Sequence, residues 1–463
     1  MLLLSIIVYL ALTVGIGFWA SRKVKTSSDF MLAGKRLPLM LSSAAMFATW
    51  FGSETVFGAS SQFLEGGLFA VIEDPFGASL CLFLFGAFFV RKLYNMQLLT
   101  LGDFFKLRYG RRTELVASVF LAPPYVGYIA AQLVAMGLIL NVVTGIATWQ
   151  GVVISAVIVT LYTYVGGMWA ISITDFIQSI IIIVGMIVLA AVLSDRAGGV
   201  EKVITSMPAE NFKFLPSFGL KEIVTYLAAW SVLGLGSLPS QDVFQRSMSS
   251  NSVKTAVLSC YIAAFLYLTI AILPLFISLC IKHLYPNQIV EDSQLALPAM
   301  VMQHTALPIQ ILFFGSLLSA IMSTTSSSIL APAAICSENI ARPLSKHRFT
   351  DRHLLWVTRT SILLFSLLAT IMACLRSNIY ELVSESSILS LVSLFVPLTL
   401  GLYWKKASSA GALLSMVVGM LTWIIFEAFD SEWPSLVPAT FASFTGMLVG
   451  SIAWPDKKKV DEN

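Results

Sequence analysis

Residues 319–328 read Ser-Ala-Ile-Met-Ser-Thr-Thr-Ser-Ser-Ser, closing on six consecutive hydroxyl side chains inside an otherwise apolar stretch. Neutral hydroxyl and carbonyl oxygens suit a hard cation, and sodium needs about five of them. On a helix, Ala320, Ser323 and Thr324 stand at i, i+3 and i+4 and share one face. Ala320 offers a backbone carbonyl there, and Ser323 and Thr324 offer hydroxyls. The competing role for such residues is bonding back to their own helix or gluing helices together. Six in a row exceed what glue requires.

Carboxylates in apolar surroundings are the second set of candidates. Glu54, Glu73, Asp74, Asp175 and Asp242 all fall in or beside long apolar runs. An acid at mid-membrane costs roughly 2.5–3.5 kcal/mol on insertion scales, so its presence points to function. Asp175, in Thr-Asp-Phe-Ile-Gln at 174–178, fits either a functional acid or a first-turn helix residue near an interface. Glu73 and Asp74 fit either a cavity or a helix cap. Glu54 and Asp242 lie deeper, where unpaired burial is most costly. Trp50, Phe51, Tyr125, Tyr128 and Trp230 are aromatic candidates for holding a cation, or ordinary packing. Acids around a cavity favour a cationic or zwitterionic solute, or a proton-linked role.

The elements that must position these residues are membrane helices. Of 463 residues, 57% are hydrophobic and 12% charged. A soluble domain carries about 25% charged residues, so lipid is the main solvent here. The net charge of +4 is too small and dispersed for nucleic acid. The five cysteines are odd in number and scattered through apolar runs, which implies soft packing residues without a disulfide framework or metal site. Reading for runs of about 20 apolar residues predicts thirteen spans. They cover 2–20, 38–64, 69–90, 115–143, 148–166, 170–194, 219–245, 253–282, 306–338, 354–375, 378–403, 408–429 and 435–454. The first run lacks a basic start and a small-residue cleavage site, so it reads as an inserted helix followed by Arg22, Lys23 and Lys25. With the N-terminus outside and the C-terminus inside, 23 of the 29 basic residues fall on the inner side, Arg246 and the tail lysines Lys457, Lys458 and Lys459 among them. One missed span would scramble that bias.

Two spans are interrupted. The second carries Trp-Phe-Gly-Ser-Glu at 50–54, and the seventh carries Gly-Leu-Gly-Ser-Leu-Pro-Ser at 234–240. Glycine and proline make poor helix interiors. The two spans hold matching positions in two five-helix halves, and five being odd, the halves must have opposite membrane orientations. Broken helices at matching positions of inverted halves point to a mid-membrane binding site in a secondary transporter. The expected organisation is one transporter domain over 1–463. A leading helix (2–20) precedes a first repeat (38–194), a second repeat (219–403) and trailing helices (408–454).

The segments Ala-Thr-Trp at 48–50, YTYVGGMWAISITDFIQ at 162–178, PSQDVFQR at 239–246 and SAIMSTTSSSIL at 319–330 together resemble the sodium/solute symporter family. That family includes carriers of proline, sugars and choline, and the resemblance runs from the second span to the eleventh. It implies an all-α, LeuT-like inverted-repeat fold with a leading helix. It further implies a sodium site between the second and ninth spans, formed by backbone carbonyls of Ala45 and Ala48 with Ala320, Ser323 and Thr324. Asp175 matches a position near an ion exit path or a second sodium site. The 320–324 match is similar to the proline-carrier branch, which has an acid where this chain has Phe47. Around Trp50 the chain resembles the choline branch, but Ala78, Tyr128 and Ser240 stand where that branch has Tyr, Trp and Trp.

The expected activity is sodium-coupled import of a small organic solute across the inner (plasma) membrane. An amino acid, betaine or similar zwitterion or cation is favoured. The expected solute-binding residues are Thr49, Trp50, Glu54, Asp74, Tyr125, Tyr128, Gln241 and Asp242. Sodium is the only expected ion or cofactor, with lipid and solute as partners and no obligate protein partner. The competing readings are a proton-coupled carrier leaning on Glu54 or Asp242 and a membrane sensor, against which the nine-residue tail counts. An enzyme is excluded by four His that all lie near helix ends or in loops.

Overall fold

The structure is a computed structural model that describes residues 1–21, 26–286, 293–345, 350–429 and 431–456. The basic residues Arg22, Lys23 and Lys25 and the tail lysines lie outside the described residues. Among the described residues every named element is helical.

The chain begins with α1 (Leu2–Ser21). Helix α2 (Leu39–Trp50) stops at Phe51, whose φ of −80° and ψ of 84° leave the helical region. The chain resumes through a π-turn at Glu54–Gly58 into α3 (Ala59–Gly66). The long helices α4 (Leu68–Asn95) and α5 (Arg111–Thr144) follow. Helix α6 (Thr148–Arg196) covers the fifth and sixth expected spans in one stretch interrupted at Gly167. There φ is +54°, and a Cβ would come within 2.8 Å of the Phe30 carbonyl oxygen, so only glycine fits. Helices α7 (Leu220–Gly236) and α8 (Gln241–Met248) meet at a 47° bend. The chain then runs through α9 (Val253–Leu284), α10 (Leu307–Leu344), α11 (Asp351–Leu375), α12 (Ile379–Tyr403), α13 (Ser409–Ala428) and α14 (Leu436–Ala453).

Nine of these helices are long and apolar enough to cross a membrane among the described residues, and the bent α7–α8 pair makes a tenth. The other three expected spans coincide with α1, a continuous helix of 20 residues, with the broken α2–α3 stretch and with the first part of α6, before the interruption at Gly167.

The exposed face is lipid-like. Leu161, Phe265, Leu367, Phe441 and Ile452 are all more than half exposed. A centre made of α2, α8 and α10 packs together, with α5, α6, α9 and α12 around it. Helix α1 lies on α6 and α10, while α13 and α14 pair with each other against α12. In α10 every residue from Ser316 to Ile335 is buried. In α8 all eight residues are buried although five of them are polar or charged. Buried polar helix inside a membrane protein is tolerated where it lines a site or meets partners within the protein.

Candidate functional site

The six hydroxyls at 323–328 divide into two groups. Thr325, Ser326, Ser327 and Ser328 donate to carbonyls of their own helix, at Ile321, Ser323, Thr324 and Thr324. Only Ser323 and Thr324 reach off it. Thr324 Oγ1 lies 3.0 Å from the Ala48 carbonyl, 3.2 Å from that of Ala320 and 3.4 Å from that of Phe51. Ser323 Oγ lies 3.4 Å from the same Ala48 oxygen and 2.5 Å from Asp175 Oδ1. The break after α2 makes this possible. Ala48 and Phe51 are in its last turn and at its end, where carbonyls lose their helical donors.

Of the expected ion residues, Ala48, Ala320, Ser323 and Thr324 therefore converge. Ala45 lies one turn earlier, where its carbonyl accepts the Thr49 hydroxyl at 2.9 Å. Asp175 is fully buried and not a capping residue at an interface, since it lies well inside α6. Its second oxygen accepts from Arg246 Nη2 at 3.0 Å.

Arg246 had been assigned to the inner flank by its place after the seventh span. Instead it is completely buried in α8. Its Nε and Nη1 atoms find no other hydrogen-bond partner among the described residues. Residue type alone gave no sign of this. The usable signal was its spacing: Arg246 is i+4 from Asp242 on a helix whose other residues include two glutamines.

Beside the Ser323–Thr324 face lies a cavity whose water-accessible volume is about 40 Å³. Both helix breaks contribute to it. Trp50 comes from the end of α2; Ser237, Pro239 and Ser240 are the link between α7 and α8. Tyr125 and Tyr128 come from α5, and Ser386, Ser387 and Ser390 from α12. Among the described residues Asp242 is the only charged one in the wall. Its Oδ1 accepts from the Tyr125 hydroxyl at 2.8 Å, and the Tyr125 oxygen accepts from the Asp242 backbone N–H at 3.1 Å. Gly236 lets α7 approach α12 here, because a Cβ would stand 2.5 Å from the Ser387 carbonyl.

Four expected solute residues, Trp50, Tyr125, Tyr128 and Asp242, line this cavity. Glu54 stands behind the wall. It accepts from Tyr128 Oη at 2.9 Å and from Gln132 Nε2 at 2.7 Å, while Gln132 Oε1 takes the Ser53 N–H at 2.9 Å. That network braces the loop at the α2 break and orients Tyr128. Gly52 is needed in it, since a Cβ would lie 2.8 Å from both Gln132 Oε1 and Glu54 Oε2. Thr49 also lies behind, with its carbonyl 3.4 Å from Tyr128 Oη. Asp74 and Gln241 are elsewhere. Asp74 accepts from Tyr267 at 2.6 Å, and Gln241 Oε1 accepts the Leu101 N–H at 2.7 Å. The three α12 serines were missed by residue-level reading, although serines spaced along an apolar span are themselves a signal of a polar face.

No group of three or more His, Cys, Asp or Glu side chains able to hold a metal ion occurs among the described residues.

Residues 30–419 match the sequence model described as the Sodium:solute symporter family. The human high affinity choline transporter 1 is 30% identical over 441 residues, covering 90% of this chain and 75% of its own. The Vibrio parahaemolyticus sodium/glucose cotransporter is 24% identical over 473 residues, covering 93% of this chain and 85% of its own. Among solved structures, a Na+-coupled sialic acid symporter in a substrate-bound outward-open state superimposes with a TM-score of 0.87 at 20% identity, over 98% of both chains. A nucleobase-cation-symport-1 family transporter gives 0.55 at 16% identity, over 92% of this chain and 94% of its own. At these identities the structural likeness is one of fold, and the fold is LeuT-like as expected.

Proposed function

Because this chain belongs to the sodium:solute symporter family, a family of multi-pass membrane transporters, we propose that it imports a small organic cation or zwitterion across the inner (plasma) membrane, driven by sodium. The observation that carries this reading is that Ser323 and Thr324 alone leave the hydroxyl run, and both meet the Ala48 carbonyl at the α2 break. Oxygens sharing a cation at ~2.4 Å lie about 3.4 Å apart when at right angles, close to the spacing found here. Sodium bound by Ala45, Ala48, Ala320, Ser323 and Thr324 would tie α2 to α10 and hold the break in one arrangement.

The solute then binds against Trp50, Tyr125 and Tyr128, with its positive group near Asp242. Aromatic faces and one carboxylate suit an ammonium group. The serines of α12 offer hydrogen bonds to a hydroxyl or carboxylate at the other end. Choline is carried by relatives in the family; an amino acid or betaine fits the same chemistry. Glu54 acts by orienting Tyr128. Asp175 lies on an exit path for sodium, closed while Arg246 and Ser323 occupy its oxygens. The repeats 38–194 and 219–403 rock against each other, with sodium and solute each binding one arrangement better than the other.

The test is binding of labelled choline, glycine betaine and proline to purified protein, in sodium and in potassium. Sodium-dependent binding of at least one, lowered by Trp50→Ala, is the expected result. Transport that ignores sodium and follows a pH gradient would transfer the coupling role to Glu54 or Asp242.

A further inference from the structure

A second feature lies on the lipid-facing side, away from the solute cavity. Helices α4 and α9 pack along their length. Between them runs an apolar groove lined by Phe83, Leu80, Ala264, Phe265 and Leu268, with Trp230 of α7 at one wall. A second hollow begins where Tyr261 forms a shared wall, and it ends at Arg91 and Lys254. The two hollows lie end to end on either side of the Tyr261 ring, which lines both. Tyr261 is fixed at the junction. Its ring rests on the bare backbone of Gly86, where a Cβ would stand 3.2 Å from it, and its centroid is 5.4 Å from that of Phe83.

Arg91 and Lys254 are exposed, and neither has a hydrogen-bond or ion-pair partner among the described residues. Nearby Lys92 is used, its Nζ lying 3.3 Å from the Tyr403 ring centroid and 3.1 Å from the Leu402 carbonyl. The two free cations come from different helices and flank one opening. From Lys254 to Leu268 is fourteen residues of helix, and from Arg91 to Phe76 is fifteen. At 1.5 Å per residue the α9 stretch is about 21 Å long, half of a bilayer's ~40–45 Å total thickness. The groove thus has the length of one lipid in one leaflet. Ser79 adds a buried hydroxyl in its wall with no hydrogen-bond partner among the described residues.

We propose that this groove is a binding site for one anionic glycerophospholipid, its phosphate held by Arg91 and Lys254 and one acyl chain lying past Tyr261 toward Leu268. A bulk zwitterionic lipid satisfies the apolar wall equally well but leaves the paired cations without net negative charge. Basic pockets between membrane helices select anionic head groups by this difference. Trp230 belongs to α7, whose end forms part of the solute cavity, so the same lipid touches a helix of the transport site.

The test uses the delipidated full chain and native mass spectrometry, titrating phosphatidylglycerol or phosphatidylcholine of identical acyl chains. The wild type should bind one phosphatidylglycerol roughly 10- to 30-fold more tightly than phosphatidylcholine, as expected for two interfacial cations. The preference should vanish in Arg91→Gln/Lys254→Gln and survive in Arg91→Lys/Lys254→Arg. Equal binding of the two lipids by the wild type, or an unchanged preference in the Gln variant, overturns the site. If the Gln variant loses helicity, brominated lipids in vesicles decide the matter. Brominated phosphatidylglycerol should quench wild-type fluorescence more than brominated phosphatidylcholine, and Trp230→Phe should remove that excess. No excess, or one unaffected by Trp230→Phe, contradicts the proposal.

Discussion

The proposed ion face and the proposed solute cavity share the break after α2 but take opposite things from it. The ion face uses backbone: the Ala48 and Phe51 carbonyls, met by two hydroxyls of α10. The cavity uses side chains: the Trp50 ring, two tyrosines and one carboxylate. Backbone oxygens are the same in every sequence, so this face would tolerate change at 48 and 51 wherever the helices still approach closely, but not loss of the two hydroxyls at 323 and 324. The cavity has no such constancy. On the proposed function, its selectivity would follow from which rings and hydroxyls face inward.

The same contrast governs what the sequence disclosed. The hydroxyl run at 323–328 was visible as composition, and its i, i+3, i+4 face was assigned to Ala320, Ser323 and Thr324. The structure brings those residues to the α2 break because the other four hydroxyls bond back to α10. All thirteen expected spans correspond to helical stretches, since lipid demands long apolar runs whatever their packing. The solute residues were harder to read. A break resets the rotational phase of a helix, so periodicity does not tell which face Asp74 or Gln241 presents after it. Both ended on neighbouring helices, at Tyr267 and Leu101. Arg246 was counted as a flank charge because only tertiary packing shows that α8 folds inward onto Asp175.

Four substitutions press on the difference between the two regions. The largest effect is expected at their boundary. Arg246→Met leaves Asp175 as an unpaired buried charge, which should cost roughly 3–5 kcal/mol of stability. Thermal unfolding in detergent checks it, and adding Asp175→Asn should recover most of the loss. No recovery would mean that Arg246 stabilises the fold through something other than Asp175.

Asp242→Asn should come next. It removes the only charge in the cavity wall among the described residues and one partner of Tyr125, so binding of an ammonium solute should weaken about 10- to 100-fold, from ~1.5–3 kcal/mol for a charge-assisted bond. Sodium binding without solute should stay as it was. A parallel loss of sodium affinity would merge the two regions into one. Trp50→Leu should be milder, about 2- to 30-fold on the same solute, from ~0.5–2 kcal/mol for a cation–π contact. A neutral solute of similar size, measured alongside, should lose less.

The smallest effect is expected from Ser326→Ala with Ser327→Ala. Both hydroxyls bond to their own helix, so uptake and its sodium dependence should hold, with stability within ~0.5 kcal/mol of wild type. A clear loss of sodium dependence there would extend the ion face around α10.

The central claim is that Ser323 and Thr324 alone turn the hydroxyl run into a cation site. A sodium titration of solute binding, comparing wild type with Ser323→Ala/Thr324→Ala in protein that inserts and folds, tests it most directly. The account predicts that the double variant binds solute weakly and to the same extent at every sodium concentration. A sodium response with the wild-type midpoint would contradict it.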